Sequence, residues 1–198
     1  HPLVFVRING TGTPWMNDDL EAVSLSGLGG IFFPKAESPD DISVLAERIL
    51  ALARKGKFTP PVLVPIVETA RGILEAFPIV SAVPTCVGLA LGGEDFASSV
   101  GALRTPEGQE LSLARMQVVL AARAIGVFPI DTVYTEYKDE AGLVRDAKWA
   151  RQLGFAGKLV IHPCQVEPVN RVFSPSPQEA DEARAVLMAF ELAQERGE

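Results

Sequence analysis

Cysteine is scarce in this sequence. Cys86 sits inside an apolar run and Cys164 follows a His-Pro pair, and two residues so placed form neither a disulfide framework nor a zinc-ligand spacing. A reducing, cytoplasmic setting is therefore expected. Missing too is any apolar run approaching the roughly 18 to 20 residues needed to span a bilayer, so no membrane association is expected. Positive charge is in deficit: 18 Lys and Arg face 25 Asp and Glu, giving a formal net charge of -7 and a pI near 5.0. That balance argues against a nucleic-acid partner, although a locally positive cleft could still take a small anionic substrate. Neither Gly-x-Gly-x-x-Gly nor a phosphate-loop motif occurs, which removes the usual nucleotide sites. The opening residues His1-Pro2-Leu3-Val4 carry no charged or cleavage-type signal, and the chain is expected to begin inside a domain.

What is present is enough for one buried core. With 47% hydrophobic residues, the 198-residue chain is expected to form a single domain over residues 1–198. Six short runs rich in Val, Ile and Phe, at residues 3–9, 30–35, 62–68, 86–91, 127–132 and 158–162, alternate with segments of helical periodicity. Ile42, Leu45, Ile49 and Ala53 share one helix face. So do Leu111, Ala114, Val118, Ala121 and Ile125, and again Leu143, Ala147, Ala150 and Leu153. Ser38-Pro39-Asp40-Asp41 and Ser176-Pro177-Gln178-Glu179 each place a capping Ser before a helix-start Pro and an acidic third residue. Gly126 and Gly154 stand where helix C-caps belong. The strand runs are continuously apolar, as in a parallel sheet covered by helices on both faces. An open doubly wound sheet and a (β/α)₈ TIM barrel both satisfy this pattern. The missing nucleotide motifs favour the barrel, with about the first two βα units absent from this chain, since such barrels run to roughly 250 residues.

Each apolar run ends in, or is soon followed by, a polar group capable of site chemistry: Arg7 and Asn9, Lys35, Glu68, Glu94 and Asp95, Asp131, and His162. From Arg7 onward they recur at intervals of 27 to 36 residues, one βα unit each time. In a barrel they would return to one rim, where active sites lie. Any one of them taken singly is as well explained as an ordinary strand-capping polar residue. Glu68 and Asp95 stand apart, because a carboxylate against an apolar strand is costly to desolvate without a cation or a donor. Two carboxylates and open positions for water suit Mg²⁺; a pairing of these acids with Arg7 or Arg71 is the structural alternative. Gly92 and Gly93 are expected to let the backbone turn tightly and approach a ligand. Glu94 is the weaker ligand and could anchor its loop instead.

Val6-Arg7-Ile8-Asn9, Phe33-Pro34-Lys35-Ala36-Glu37-Ser38, Pro65-Ile66-Val67-Glu68-Thr69, Leu91-Gly92-Gly93-Glu94-Asp95, Ala121-Ala122-Arg123-Ala124-Ile125-Gly126 with Ile130-Asp131, and Gly154-Phe155-Ala156-Gly157-Lys158 leading to Ile161-His162-Pro163 together resemble the citrate lyase beta-subunit-like family, within the HpcH/HpaI aldolase and citrate lyase superfamily of barrels. The resemblance implies that Glu68 and Asp95 bind Mg²⁺, with Mn²⁺ as a substitute, and that Arg7 contacts the substrate. Gly93 and Glu94 join Arg7 and Glu68 as implied substrate-binding positions. The implied reaction is carbon–carbon bond scission of a citryl, citramalyl or malyl thioester, on coenzyme A or an acyl carrier protein, to an acetyl thioester and a 2-oxo acid. A homo-oligomer, trimer or hexamer, is implied as well. The sequence ends soon after the helix starting at Ser176, without the C-terminal lid of some malyl-thioester lyases, which favours the citrate lyase-like branch. A metal-dependent aldolase acting on free hydroxy-oxo acids is the alternative, yet it calls for an early catalytic histidine that neither His1 nor His162 supplies. The other alternative is a subunit acting only within a multisubunit citrate lyase complex.

Overall fold

The computed structural model describes residues 3–23 and 27–196; His1 lies outside them. Six strands form one sheet: β1 (Phe5–Arg7), β2 (Gly30–Phe33), β3 (Val62–Val67), β4 (Gly88–Leu91), β5 (Phe128–Asp131) and β6 (Gly157–Lys158). Their spatial order follows the chain, and every neighbouring pair is parallel. A doubly wound sheet reverses its strand order at a switch point. No reversal occurs here, so the sheet curls as a half-barrel and all six C-terminal ends open on one rim.

Helices return the chain between strands, namely α1 (Met16–Ala22), α2 (Pro39–Gly56), α3 (Ala70–Leu74), α4 (Ala76–Ser81), α5 (Gly93–Val100), α6 (Ser112–Ala124) and α7 (Glu140–Leu153), and α8 (Val166–Phe173) and α9 (Pro177–Arg196) follow the last strand. The start of α2 is a reciprocal capping box: Ser38 Oγ accepts from the Asp41 amide, and Asp41 accepts from the Ser38 amide. Ile42, Leu45, Ile49 and Ala53 of α2 are buried as their spacing requires. Each fully buried Leu or Ile contributes about 1.5–3 kcal/mol. Ser176 and Glu179 exchange the same pair of capping bonds before α9. Gly126 and Gly154 adopt the left-handed φ of 76° and 105° that ends α6 and α7. Ile125, placed by periodicity on the buried face of α6, is instead 39% exposed, because it lies past the last full turn. No described helix is long and apolar enough to cross a membrane.

The interior is not wholly apolar. Behind the rim, Arg115 of α6, Asp131 at the end of β5, Asp146 of α7 and Lys158 at the end of β6 form a buried ionic cluster. Arg115 meets both Asp131 carboxylate oxygens at 2.9 Å and Asp146 at 2.8 Å, while Lys158 Nζ lies 2.7 Å from Asp131 and 2.5 Å from Asp146. The Arg115 guanidinium also stacks 4.5 Å from the Trp149 ring centroid. Burial alone would raise the Asp146 carboxyl, yet the Lys158 and Arg115 charges hold it below the usual carboxylate range. Asp131 is fully buried in this cluster, so it ties strands to helices and does not open on the rim as its position in sequence suggests.

The sixth strand also differs from its apolar run. It ends at Lys158, and His162 begins a 3-10 turn instead of closing a strand. The buried Gln165 side chain explains the difference: its Oε1 accepts from the Ile161 and His162 amides at 2.9 and 3.2 Å, removing them from strand pairing. The His162 ring stacks on Tyr137 at 4.7 Å, and its Nδ1 accepts from the Cys164 amide.

Candidate active site

Four strand ends build the site. Arg7 closes β1, Lys35 follows β2 by two residues, and Glu68 follows β3 directly. The chain leaving β4 turns through Gly92 into α5, which carries Asp95 in its first turn. Arg7, Asn9, Lys35, Glu37, Glu68 and Asp95 line a common cavity of about 550 Å³. Its far wall is held by Asn9, whose amide and Nδ2 both donate to Asp19 at 2.8 and 2.7 Å, and by Thr11, whose hydroxyl donates to Asp41.

Lys35 plays two parts here. Its backbone takes a left-handed φ of 52°, uncommon for a residue with a side chain, and so aims its amide at Glu68 Oε1, 2.9 Å away. Its ammonium reaches to 3.7 Å from Asp95 Oδ2. Glu68 is 8% exposed, whereas the Asp95 side chain is 56% exposed. Burial pushes the Glu68 carboxyl above the ordinary glutamate range, and the nearby Asp95 charge pushes it further; the Lys35 amide, Lys35 ammonium and Arg7 only partly offset this. Among the described residues no ion pair joins Arg7 or Arg71 to either acid. The positive charges of Lys35 and Arg7 thus leave the burial of Glu68 and its repulsion by Asp95 only partly offset.

A bound cation would complete that offset. Two carboxylates, one nearly buried and one accessible, fit a hard divalent ion that keeps most of its own water, as Mg²⁺ does. A cage of three or more His, Cys, Asp or Glu does not occur among the described residues, which disfavours a softer or fully enclosed ion.

The glycines serve packing more than turning. Neither Gly92 nor Gly93 has a positive φ. A Cβ on Gly92 would stand 2.5 Å from Glu68 Cβ, and one on Gly93 would stand 2.8 Å from Leu111 Cδ1. Gly92→Ala should therefore displace the Glu68 side chain and destabilise the fold by about 1–3 kcal/mol; a denaturant titration that overlays the unaltered protein would refute this. Gly93 and Glu94 do not line the cavity. The Gly93 amide donates to Thr132 Oγ1 at 2.8 Å, and Glu94 accepts from Arg104, which also pairs with Glu110. Lys35's backbone contact and the Thr132 hydroxyl went unread in the sequence, since neither residue type signals such a role.

Known proteins resemble this chain in sequence and fold. Residues 1–163 match the model of the HpcH/HpaI aldolase/citrate lyase family. The citrate lyase subunit beta of Leuconostoc mesenteroides subsp. cremoris is 38% identical over 97% of this chain and 64% of its own length. A (3S)-malyl-CoA thioesterase of Cereibacter sphaeroides is 36% identical over 100% of this chain and 66% of its own. The chain thus spans about two thirds of the length of these relatives. The crystal structure of protein CitE from Mycobacterium tuberculosis in complex with magnesium, acetoacetate and coenzyme A superimposes with a TM-score of 0.74 at 33% identity, covering 93% of this chain and 66% of that one. Parallel half-barrel, strand-end acids and sequence matches spanning most of the chain converge on one assignment: this chain belongs to the HpcH/HpaI aldolase/citrate lyase family.

Proposed function

We propose that the chain is a Mg²⁺-dependent carbon–carbon lyase, cleaving a citryl-, citramalyl- or malyl-type thioester into an acetyl thioester and a 2-oxo acid. The observation that carries this reading is the convergence of Glu68, Asp95 and Arg7 on one cavity at the strand rim. Glu68 and Asp95 would hold the ion, which when bound lowers the cost of negative charge on the substrate's hydroxyl and carboxylate oxygens. Arg7 presents a guanidinium to the cavity and so serves as a stabiliser of the enolate that develops on the thioester carbonyl. The Lys35 amide orients Glu68, and its ammonium steadies Asp95. Mn²⁺ is expected to substitute for Mg²⁺. Residues 1–198 would act as one catalytic domain of a barrel whose complete form has eight βα units, assembled as a homo-oligomer. The neighbouring protein's magnesium and coenzyme A support the ion and the thioester class.

The test is product release from citryl, citramalyl and malyl thioesters with Mg²⁺ and with excess chelator. The expected result is a 2-oxo acid from at least one thioester, abolished by chelator. Thiol release without a 2-oxo acid would replace cleavage by thioester hydrolysis. Cleavage of only a free hydroxy-oxo acid would transfer the protein to the aldolase reading, and no turnover would reduce it to a subunit of a larger complex.

Glu68 yields a second prediction. Its raised pKa means that the folded chain holds the proton more tightly than the unfolded chain, so stability falls as pH climbs from the ordinary glutamate value through the folded one. Glu68→Gln keeps the Lys35 amide's acceptor and removes the buried charge. The variant should melt higher than the unaltered protein at pH 7.5, with the gap closing at acidic pH, and should lose Mn²⁺ binding. A lower melting point at pH 7.5 would contradict the electrostatic account of this residue.

A further inference from the structure

Helix α5 brings Asp95 to the site, yet it has no side-chain cap of its own, since its N-cap is Gly92. Two bonds to neighbouring strands hold its entry instead. The Gly92 amide donates to the Val67 carbonyl at 3.0 Å, and the Gly93 amide donates to Thr132 Oγ1 at 2.8 Å. The first acceptor immediately precedes Glu68. The second immediately follows Asp131, which Arg115 and Lys158 grip with three charged bonds. Thr132 is 1% exposed and does not line the cavity. Its γ-methyl would stand 3.0 Å from a Cβ on Gly93, so the first turn of α5 is seated tightly against it.

We infer that Thr132 is a positioning residue for the metal site: its hydroxyl caps α5 from across the sheet and thereby fixes where Asp95 stands relative to Glu68. The inference rests on the reading of Glu68 and Asp95 as metal ligands. A buried helix-entry amide that loses its acceptor must find another, and the shift this needs is taken up in the turn that contains Asp95. Groups that only orient a ligand typically govern 10- to 100-fold of metal affinity. The buried ionic cluster acquires a purpose in this scheme, because it immobilises the strand end that presents Thr132.

The experiment is a Mn²⁺ titration, read by electron paramagnetic resonance, on the full chain and on Thr132→Val, Thr132→Ser, Asp95→Asn and Tyr134→Phe, each shown folded by circular dichroism. Thr132→Val keeps the shape and removes the acceptor, so its Mn²⁺ dissociation constant should rise about tenfold or more. Thr132→Ser restores the hydroxyl and should return to within about threefold of the unaltered value. Tyr134→Phe removes the bond from Tyr134 to Asp139, away from the cavity, and should leave the affinity unchanged. If Thr132→Val binds Mn²⁺ like the unaltered chain while Asp95→Asn does not, the positioning role is wrong and the ligand assignment stands. If Thr132→Ser and Tyr134→Phe weaken binding as much as Thr132→Val, the effect is general loosening and the inference also fails. Saturable binding that Asp95→Asn leaves intact overturns the ligand reading and this inference together. So does a lack of saturable binding by the unaltered chain.

Discussion

Asp95→Asn is expected to leave the fold intact while lowering divalent-ion affinity and turnover on the order of a hundredfold or more, since even residues that merely support a metal ligand cost up to that much. The two halves of the expectation have separate causes. Asp95 is more than half exposed, and its pairing with Lys35 spans 3.7 Å between two exposed side chains, a contact that contributes little to stability. Its charge, by contrast, faces the cavity beside Glu68, where the ion is proposed to sit. Losing it should also ease the repulsion that raises the Glu68 carboxyl, so the pH profile of any residual ion binding should move toward lower pH. Thermal melting, Mn²⁺ titration and thioester turnover on one preparation read out all three. A variant that melts like the unaltered protein and turns over at full rate would remove Asp95 from the site.

The opposite pattern is expected at Asp131. Asp131→Ala should cost about 3–5 kcal/mol of stability, because it leaves Arg115 and Lys158 buried with only Asp146 between them. At this chain length that loss lowers the melting temperature by about 10 °C. The damage comes from the uncompensated charges left behind, so Asp131→Asn, which also removes the charge, should be nearly as harmful. Equilibrium denaturation in urea gives the number directly. A loss below about 1 kcal/mol would mean that water reaches the cluster when Asp131 is removed and relieves the burial cost.

Glu68 and Asp131 look alike in the sequence: each is an acid at the end of an apolar run, one βα unit or two from its fellows. The structure separates them by what faces each one. Asp131 meets Arg115 from a helix that precedes it by 16 residues and Lys158 from the next strand. Glu68 accepts from one backbone amide, and the charges of Asp95, Lys35 and Arg7 act on it without a salt bridge among the described residues. Periodicity shows which residues point inward, but not which charges from separate elements will face one another, and that pairing decides between a structural and a chemical carboxylate. The helix stripes and capping boxes were legible because they are local, set by 3.6-residue spacing and by side chains bonding to their own backbone within three residues. The end of β6 was not, because Gln165 captures the Ile161 and His162 amides from beyond the apolar run. Gly92 and Gly93 were legible as special positions, though their demand is for room against Glu68 and Leu111 and not for an unusual φ. Lys35 escaped a specific role because its contribution to Glu68 comes from the backbone, which any residue type could supply.

The central claim is that acids from two neighbouring strand ends hold one divalent ion. Diffraction from crystals grown with Mn²⁺ tests it most directly, through the anomalous signal of the ion. The account predicts one strong peak per chain in the rim cavity, within bonding distance of both the Glu68 and the Asp95 carboxylates, with the Lys35 ammonium moved off Asp95. A peak at any other place, or one bonded to neither or only one of these two acids, would contradict it.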